Sequence, residues 1–87
     1  MSIVNEANLY STTDLGTATY LFVSGFKLSR TTVIGHHRLN FVFEKTPDIE
    51  SYVEAFLNGQ AYAPARRLFD AYRNLRALAF QKTNNLR

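Results

Sequence analysis

The sequence has no cysteine. That excludes disulfides, thiolate metal centres and cysteine nucleophiles together, and it fits a cytoplasmic protein better than a secreted one. Long apolar runs are also missing. The longest strongly apolar stretch is Tyr20 to Val23, far short of the roughly 20 residues a membrane span needs. The opening MSIVNEANLYSTTD carries no basic segment followed by an apolar one, so no export signal is expected. Glycine is sparse: Gly16, Gly25, Gly35 and Gly59 are scattered and form no phosphate-cradling loop. Ser24, in Phe22-Val23-Ser24-Gly25-Phe26, lacks the leading glycine of a nucleophile elbow.

Histidine is limited to the adjacent pair His36 and His37. Neighbours along a strand point to opposite faces, and with no third histidine a metal would need carboxylates such as Glu44 or Asp14 to complete its ligands. The pair therefore reads as the solvated tip of a hairpin, available to a partner when protonated. Glu50 and Glu54 share a helical face at i and i+4, but that face lies opposite the apolar stripe, where nothing splits two carboxylate pKa values. It reads as solvated surface. No catalytic residue, metal or cofactor is assigned, and the expectation is a non-enzymatic protein.

What is present begins with 87 residues, 46% hydrophobic, with seven Phe and five Tyr. That suffices for one domain with one core (about 8–82), which at this size is marginal unless most aromatics are buried or covered by a partner. A homodimer is compatible with this composition. The net charge of +3 is modest but segregated. Residues 1–14 carry Glu6 and Asp14, a net of −2; residues 15–43 carry Lys27, Arg30 and Arg38, a net of +3. Residues 44–63 set Glu44, Asp48, Glu50 and Glu54 against Lys45, a net of −3. Residues 64–87 set Arg66, Arg67, Arg73, Arg76, Lys82 and Arg87 against Asp70, a net of +5. The basic charge belongs to the C-terminal segment.

Asn8-Leu9-Tyr10-Ser11 is extended, and Thr12-Thr13-Asp14 offers oxygens to the free amides of a helix start, predicting a first helix over about 13–24. Leu15, Ala18, Leu21, Phe22 and Tyr20 supply its apolar face, and Gly25 ends it in the left-handed conformation. Phe26–Val33 is rich in β-branched residues, and Arg38–Glu44 alternates with Leu39, Phe41 and Phe43 on one face. Joined at Ile34–His37, these strands predict a hairpin. Thr46-Pro47-Asp48-Ile49-Glu50 predicts a second helix with Thr46 as cap and Pro47 at the first helical position, burying Ile49, Val53, Phe56 and Leu57 with Tyr52 beside them, until Asn58-Gly59 stops it. After Pro64, the positions Leu68, Phe69, Tyr72, Leu75, Leu78 and Ala79 predict a third helix to about Lys82, with residues 83–87 frayed. The expected fold is α+β, a small two-layer domain in which three helices pack on a three-stranded sheet with a central hairpin, in the order β-α-β-β-α-α.

The third helix carries the clearest functional signal. With Leu68, Tyr72, Leu75 and Ala79 facing inward, Arg66 and Arg73 lie on the outer side with Asp70, Asn74 and Ala77, and Arg67 and Arg76 flank the stripe. Guanidinium groups suit phosphate oxygens, and Asn74, Gln81 and Asn84 are long enough for base edges. The plainer reading is a solvated face in which cations favour the helix C-terminus and Asp70 pairs locally. Lys27 and Arg30 extend the basic surface only weakly, since a regular strand sends them to opposite faces.

The residues Tyr10-Ser11-Thr12-Thr13-Asp14-Leu15, Ala18, Tyr20-Leu21, Gly25-Phe26-Lys27-Leu28, Phe41-Val42-Phe43-Glu44, Ala55-Phe56-Leu57-Asn58-Gly59 and Arg66-Arg67-Leu68-Phe69, in that order, resemble a small uncharacterised domain family of unknown function from bacteria and their phages, over about residues 8–79. The resemblance implies a stand-alone cytoplasmic module encoded on mobile or viral DNA, and it implies no catalytic residues. Its matching positions are caps, turn glycines and core hydrophobes, which a shared architecture demands. Ala63 departs from it, where a better helix cap is expected. Two functions are therefore expected to compete. One is nucleic-acid binding through Arg66, Arg67, Arg73, Arg76, Lys82 and Arg38, by phosphate contacts with little sequence readout. The other is a protein-interaction module that engages its partner through the acidic second helix or through exposed aromatics such as Tyr62 and Phe80, with Phe80 the candidate homodimer contact.

Overall fold

The computed structural model describes residues 8–36 and 38–84. Strand β1 (Leu9–Thr12) leads into helix α1 (Leu15–Val23), strands β2 (Leu28–Val33) and β3 (Leu39–Glu44) form a hairpin, and helices α2 (Ile49–Leu57) and α3 (Ala65–Asn84) follow. The element order, the α+β class and the three-stranded sheet are those expected from the sequence. The sheet is antiparallel with order β1-β3-β2, so β3 is central and carries the alternation that identified it.

The helix and strand boundaries follow from local chemistry. Asp14 is the N-cap of α1: its Oδ2 accepts from the Thr17 backbone N–H at 2.9 Å and from the Thr17 hydroxyl at 2.7 Å. Gly25 (φ +98°) and Gly59 (φ +72°) turn the chain after α1 and α2 in the left-handed region that the sequence reading required. The second helix begins later than expected. Asp48, not Thr46, is its cap residue, and Pro47 lies in the preceding turn. The Thr46 hydroxyl donates to Asp48 Oδ1 at 2.6 Å, so the two capping side chains are spent on each other and helical pairing starts at Ile49. The third helix runs on to Asn84 rather than fraying at Thr83, whose hydroxyl donates to the Ala79 carbonyl at 2.9 Å; residues 85–87 lie outside the described residues.

Leu39, Phe41 and Phe43 of β3 face the helices and form the core with Ala18 and Leu21 of α1, Ile49 of α2 and Leu75 of α3. Tyr10 of β1 and Leu28 and Val33 of β2 pack at its edges. A chain of rings ties α2 in place: Tyr20 stacks on Phe56 at 5.4 Å and reaches Tyr52 at 6.2 Å, and Tyr52 meets Phe26 edge-on at 5.0 Å. The opposite sheet face, with Ser11, Arg30, Thr32 and Asn40, forms a shallow depression that no helix lines among the described residues. Four helical residues expected inside, Phe69 among them, are turned out. Phe22 and Leu57 are exposed, and on α3 the buried residue is Ala71 in place of Tyr72. Both Ala71 and Tyr72 fit a helical repeat with Leu68 and Leu75, so periodicity alone cannot choose between them. The close approach of α3 to α1 chooses the smaller side chain, and Ala71 sits beside Phe22 and Val23.

These contacts set stability. Asp14→Ala should lower unfolding free energy by about 1 kcal/mol, the usual worth of an N-cap, and Ala71→Leu by about 1–3 kcal/mol through overpacking at the α1–α3 contact; urea unfolding at constant slope checks both. Burial, and secondarily the negative charge of Glu50, raises the Tyr10 phenol above its ordinary 10.0. The unfolded chain therefore releases that proton first. Stability from this source is intact below pH 10 and is lost as the pH climbs through the folded value. Tyr10→Phe should flatten the alkaline decline relative to the parent chain in the same titration.

Candidate functional site

Helix α3 has 20 residues and one acid, Asp70. Its inward line runs through Leu68, Ala71, Leu75, Leu78 and Ala79. The sequence-predicted cations distribute around that line in three groups. Arg66 points away from the core, and its Nε lies 3.5 Å from Asp70 Oδ2 in an exposed i to i+4 pair. Arg67 lies on the flank toward the end of α1, where it lines a hollow with Phe22, Val23, Asp70 and Asn74. Both of these arginines share their surroundings with the helix's only carboxylate, which lowers the local positive potential.

The other flank differs. Arg76 lines a concavity of about 260 Å³ together with Arg38, which enters from the turn end of the hairpin, where its carbonyl accepts from the Ile34 N–H at 2.9 Å, and with Thr13, Phe80 and Thr83. Its floor is apolar, formed by Leu15, Leu39, Phe41 and Ala79. Among the described residues no carboxylate lines it. Asp14, one residue from Thr13, is held by Thr17 in the α1 cap. Two of the predicted cations, distant in sequence, are thus brought to one acid-free cleft. Arg73, one turn before Arg76, is exposed on the outer side of the helix, three residues after Asp70. Lys82 is exposed in the last turn, seven residues after Leu75 and so past the end of the core.

Sequence reasoning named one aromatic side chain of this flank, Phe80, as exposed and missed the other two. Phe69 and Tyr72, expected in the core, are 65% and 42% exposed, and Phe80 is 68% exposed. The cause is the seating of Ala71 in place of Tyr72, which shifts the inward stripe toward Leu78 while Leu68, Leu75 and Ala79 stay on it. Phe69 and Tyr72 form the rim of a second hollow of about 210 Å³ with Gly16, Thr19, Phe56 and Leu68. Among the described residues, the hydroxyls on it belong to Tyr72 and to Thr19, which already donates to the Leu15 carbonyl at 2.7 Å. A side chain at Gly16 would crowd Phe56, since a Cβ there would stand 3.3 Å from its Cζ. The available signal was the equal fit of Ala71 and Tyr72 to the helical repeat.

The parity expectation for Lys27 and Arg30 is overturned. Leu28 pairs with Phe43 and Arg30 with Val42, so Ser29 is an extra residue, a β-bulge that resets the alternation. Lys27 and Arg30 therefore share the open sheet face, where Lys27 Nζ lies 3.5 Å from Glu44 Oε2. On α2, Glu50 and Glu54 are exposed, with Glu50 Oε1 3.4 Å from Lys45 Nζ. His36 is exposed at the hairpin tip, and His37 lies outside the described residues. Among the described residues no three His, Asp or Glu side chains converge as metal ligands would, and no helix is long and apolar enough to cross a membrane.

The chain matches the family model described as "Domain of unknown function (DUF5659)" over residues 7–81. No curated protein and no solved structure matches it. The positions that carry the fold, from the β1 strand through the Asp14 cap and the β3 core to the Ala71 contact, all fall inside the matched span, and the chain belongs to this family of small domains of unknown function.

Proposed function

We propose that this domain is a non-enzymatic nucleic-acid-binding module whose contact surface is the flank of α3 that carries Arg76, with the turn end of the β2–β3 hairpin. The observation that carries this reading is the shared cleft of Arg38 and Arg76, two guanidinium groups delivered by different elements with no carboxylate among the described lining residues. Guanidinium groups bind phosphate oxygens in paired geometry and stay charged at any working pH, so a polyanion is the ligand they suit. Arg73 extends the positive surface along the outer side of the helix and Lys82 adds a charge past the end of the core, about 120° around the helix from Arg76, whereas Arg66 and Arg67 contribute less because Asp70 is beside them. Phosphate contact of this kind positions a strand without reading its sequence.

A protein-interaction function is the second reading, and the α2 side favours it: Leu57 is 69% and Tyr62 is 92% exposed near the acidic residues Glu50 and Glu54. Self-association through the α3 flank is disfavoured, since a two-fold contact would bring Arg73 and Arg76 of both copies together.

Fluorescence anisotropy with mixed-sequence DNA and RNA separates the readings. With about four phosphate contacts, affinity for a single strand should fall roughly fiftyfold between about 50 and 200 mM salt. The variant Arg38→Ala/Arg73→Ala/Arg76→Ala should lose binding, and Arg66→Ala/Arg67→Ala should keep most of it. No binding at the lowest salt discards the nucleic-acid reading and leaves the α2 surface as the one to pursue.

A further inference from the structure

We infer that the α3 flank takes unpaired nucleotides, with bases stacked on Tyr72, Phe80 and Phe69 and the intervening phosphates held by Arg73, Arg76 and Arg38. This deepens the nucleic-acid reading and rests on it. Tyr72, Arg76 and Phe80 follow one another at i, i+4 and i+8, an inclined row along the helix in which each step rises about 6 Å. Ring, cation and ring alternate, as base, phosphate and base alternate in a strand. A partner protein would ask for a continuous apolar stripe, and Arg76 interrupts this one at its middle.

The exposure of the rings points the same way. Phe80 stands free at the mouth of the cleft that holds Arg38 and Arg76, and Phe69 and Tyr72 rim the neighbouring hollow. In a duplex the base faces are covered by their neighbours, so such rings find no platform there. In a single strand they find one at every nucleotide, and stacking on an aromatic ring is tolerant of sequence because every base has a π-face. The hollow beside Tyr72 is large enough to accept part of an unstacked base, and its apolar lining offers little to read an edge with. The inferred ligand is therefore single-stranded DNA or RNA with little sequence preference.

Two variants test this at fixed low salt, using a single-stranded DNA of about 12 nucleotides, within the range one small domain covers, and the matching duplex. The parent chain should bind the single strand at least about tenfold more tightly than the duplex. Phe69→Leu/Tyr72→Leu/Phe80→Leu should lose that preference while its duplex affinity stays the same. The chain has no tryptophan, so Phe80→Trp supplies a single reporter at an exposed ring without removing the ring. Its fluorescence should be quenched by the single strand and unchanged by the duplex. Equal affinity for both forms, or an unquenched Trp in a chain that still binds the strand, overturns the stacking inference and leaves the phosphate-binding reading standing. Absence of binding to either form overturns both, and self-association abolished by the triple Leu variant would then mark the flank as a protein interface.

Discussion

The packing of α3 against α1 through Ala71 decides what this domain shows to its surroundings. Ala71 is buried beside Phe22 and Val23 at the end of α1, and the larger Tyr72 is left outside. Leu75 then drops into the core formed by Leu39, Phe41, Phe43, Ala18 and Leu21. Everything on the outside of α3 is fixed by that choice. Had Tyr72 been seated instead, the rings at Phe69 and Tyr72 would have turned inward, and Arg73 would have moved toward the flank that now carries Arg76.

The same geometry sorts the charges. Asp70 falls on the side of Arg66 and Arg67 and neutralises part of their field, Arg73 stays on the outer side, and Arg76 emerges on the flank that faces the turn end of the hairpin and shares a cleft with Arg38. A chain with a net charge of only +3 thereby acquires one flank that is locally basic and free of acid among the described lining residues. Exposed rings beside those arginines bury less apolar area than a core could have offered them, a cost of folding that a binding surface recovers when occupied. On the proposed reading, the stability given up at Phe69, Tyr72 and Phe80 is the source of affinity for a strand.

Much of this fold is legible in the sequence because its signals are local. The Asp14 cap, the glycines after two helices, and the alternation of Leu39, Phe41 and Phe43 each act within a few residues, and each stands where expected. What was not legible depends on contacts between distant segments or on competition among equivalent groups. Thr46 and Asp48 both could cap α2, and their bond to each other moved its start. The Ser29 bulge leaves no trace in a pattern of β-branched residues, yet it reverses which face Lys27 shares with Arg30. At the candidate site, the arginines could be named from charge alone. Their grouping could not, because it depends on the hairpin carrying Arg38 to α3 and on Ala71 excluding Tyr72 from the core.

The most direct test is a map of the bound surface by backbone amide chemical shifts, recorded as a single-stranded oligonucleotide is titrated into labelled protein at low salt. The expected result is a continuous set of shifted amides on α3 from Phe69 to Thr83, joined by Arg38 and Thr13, with Leu57 and Tyr62 unmoved. Shifts confined to α2 and Tyr62, or no shifts at saturating oligonucleotide, would contradict the account.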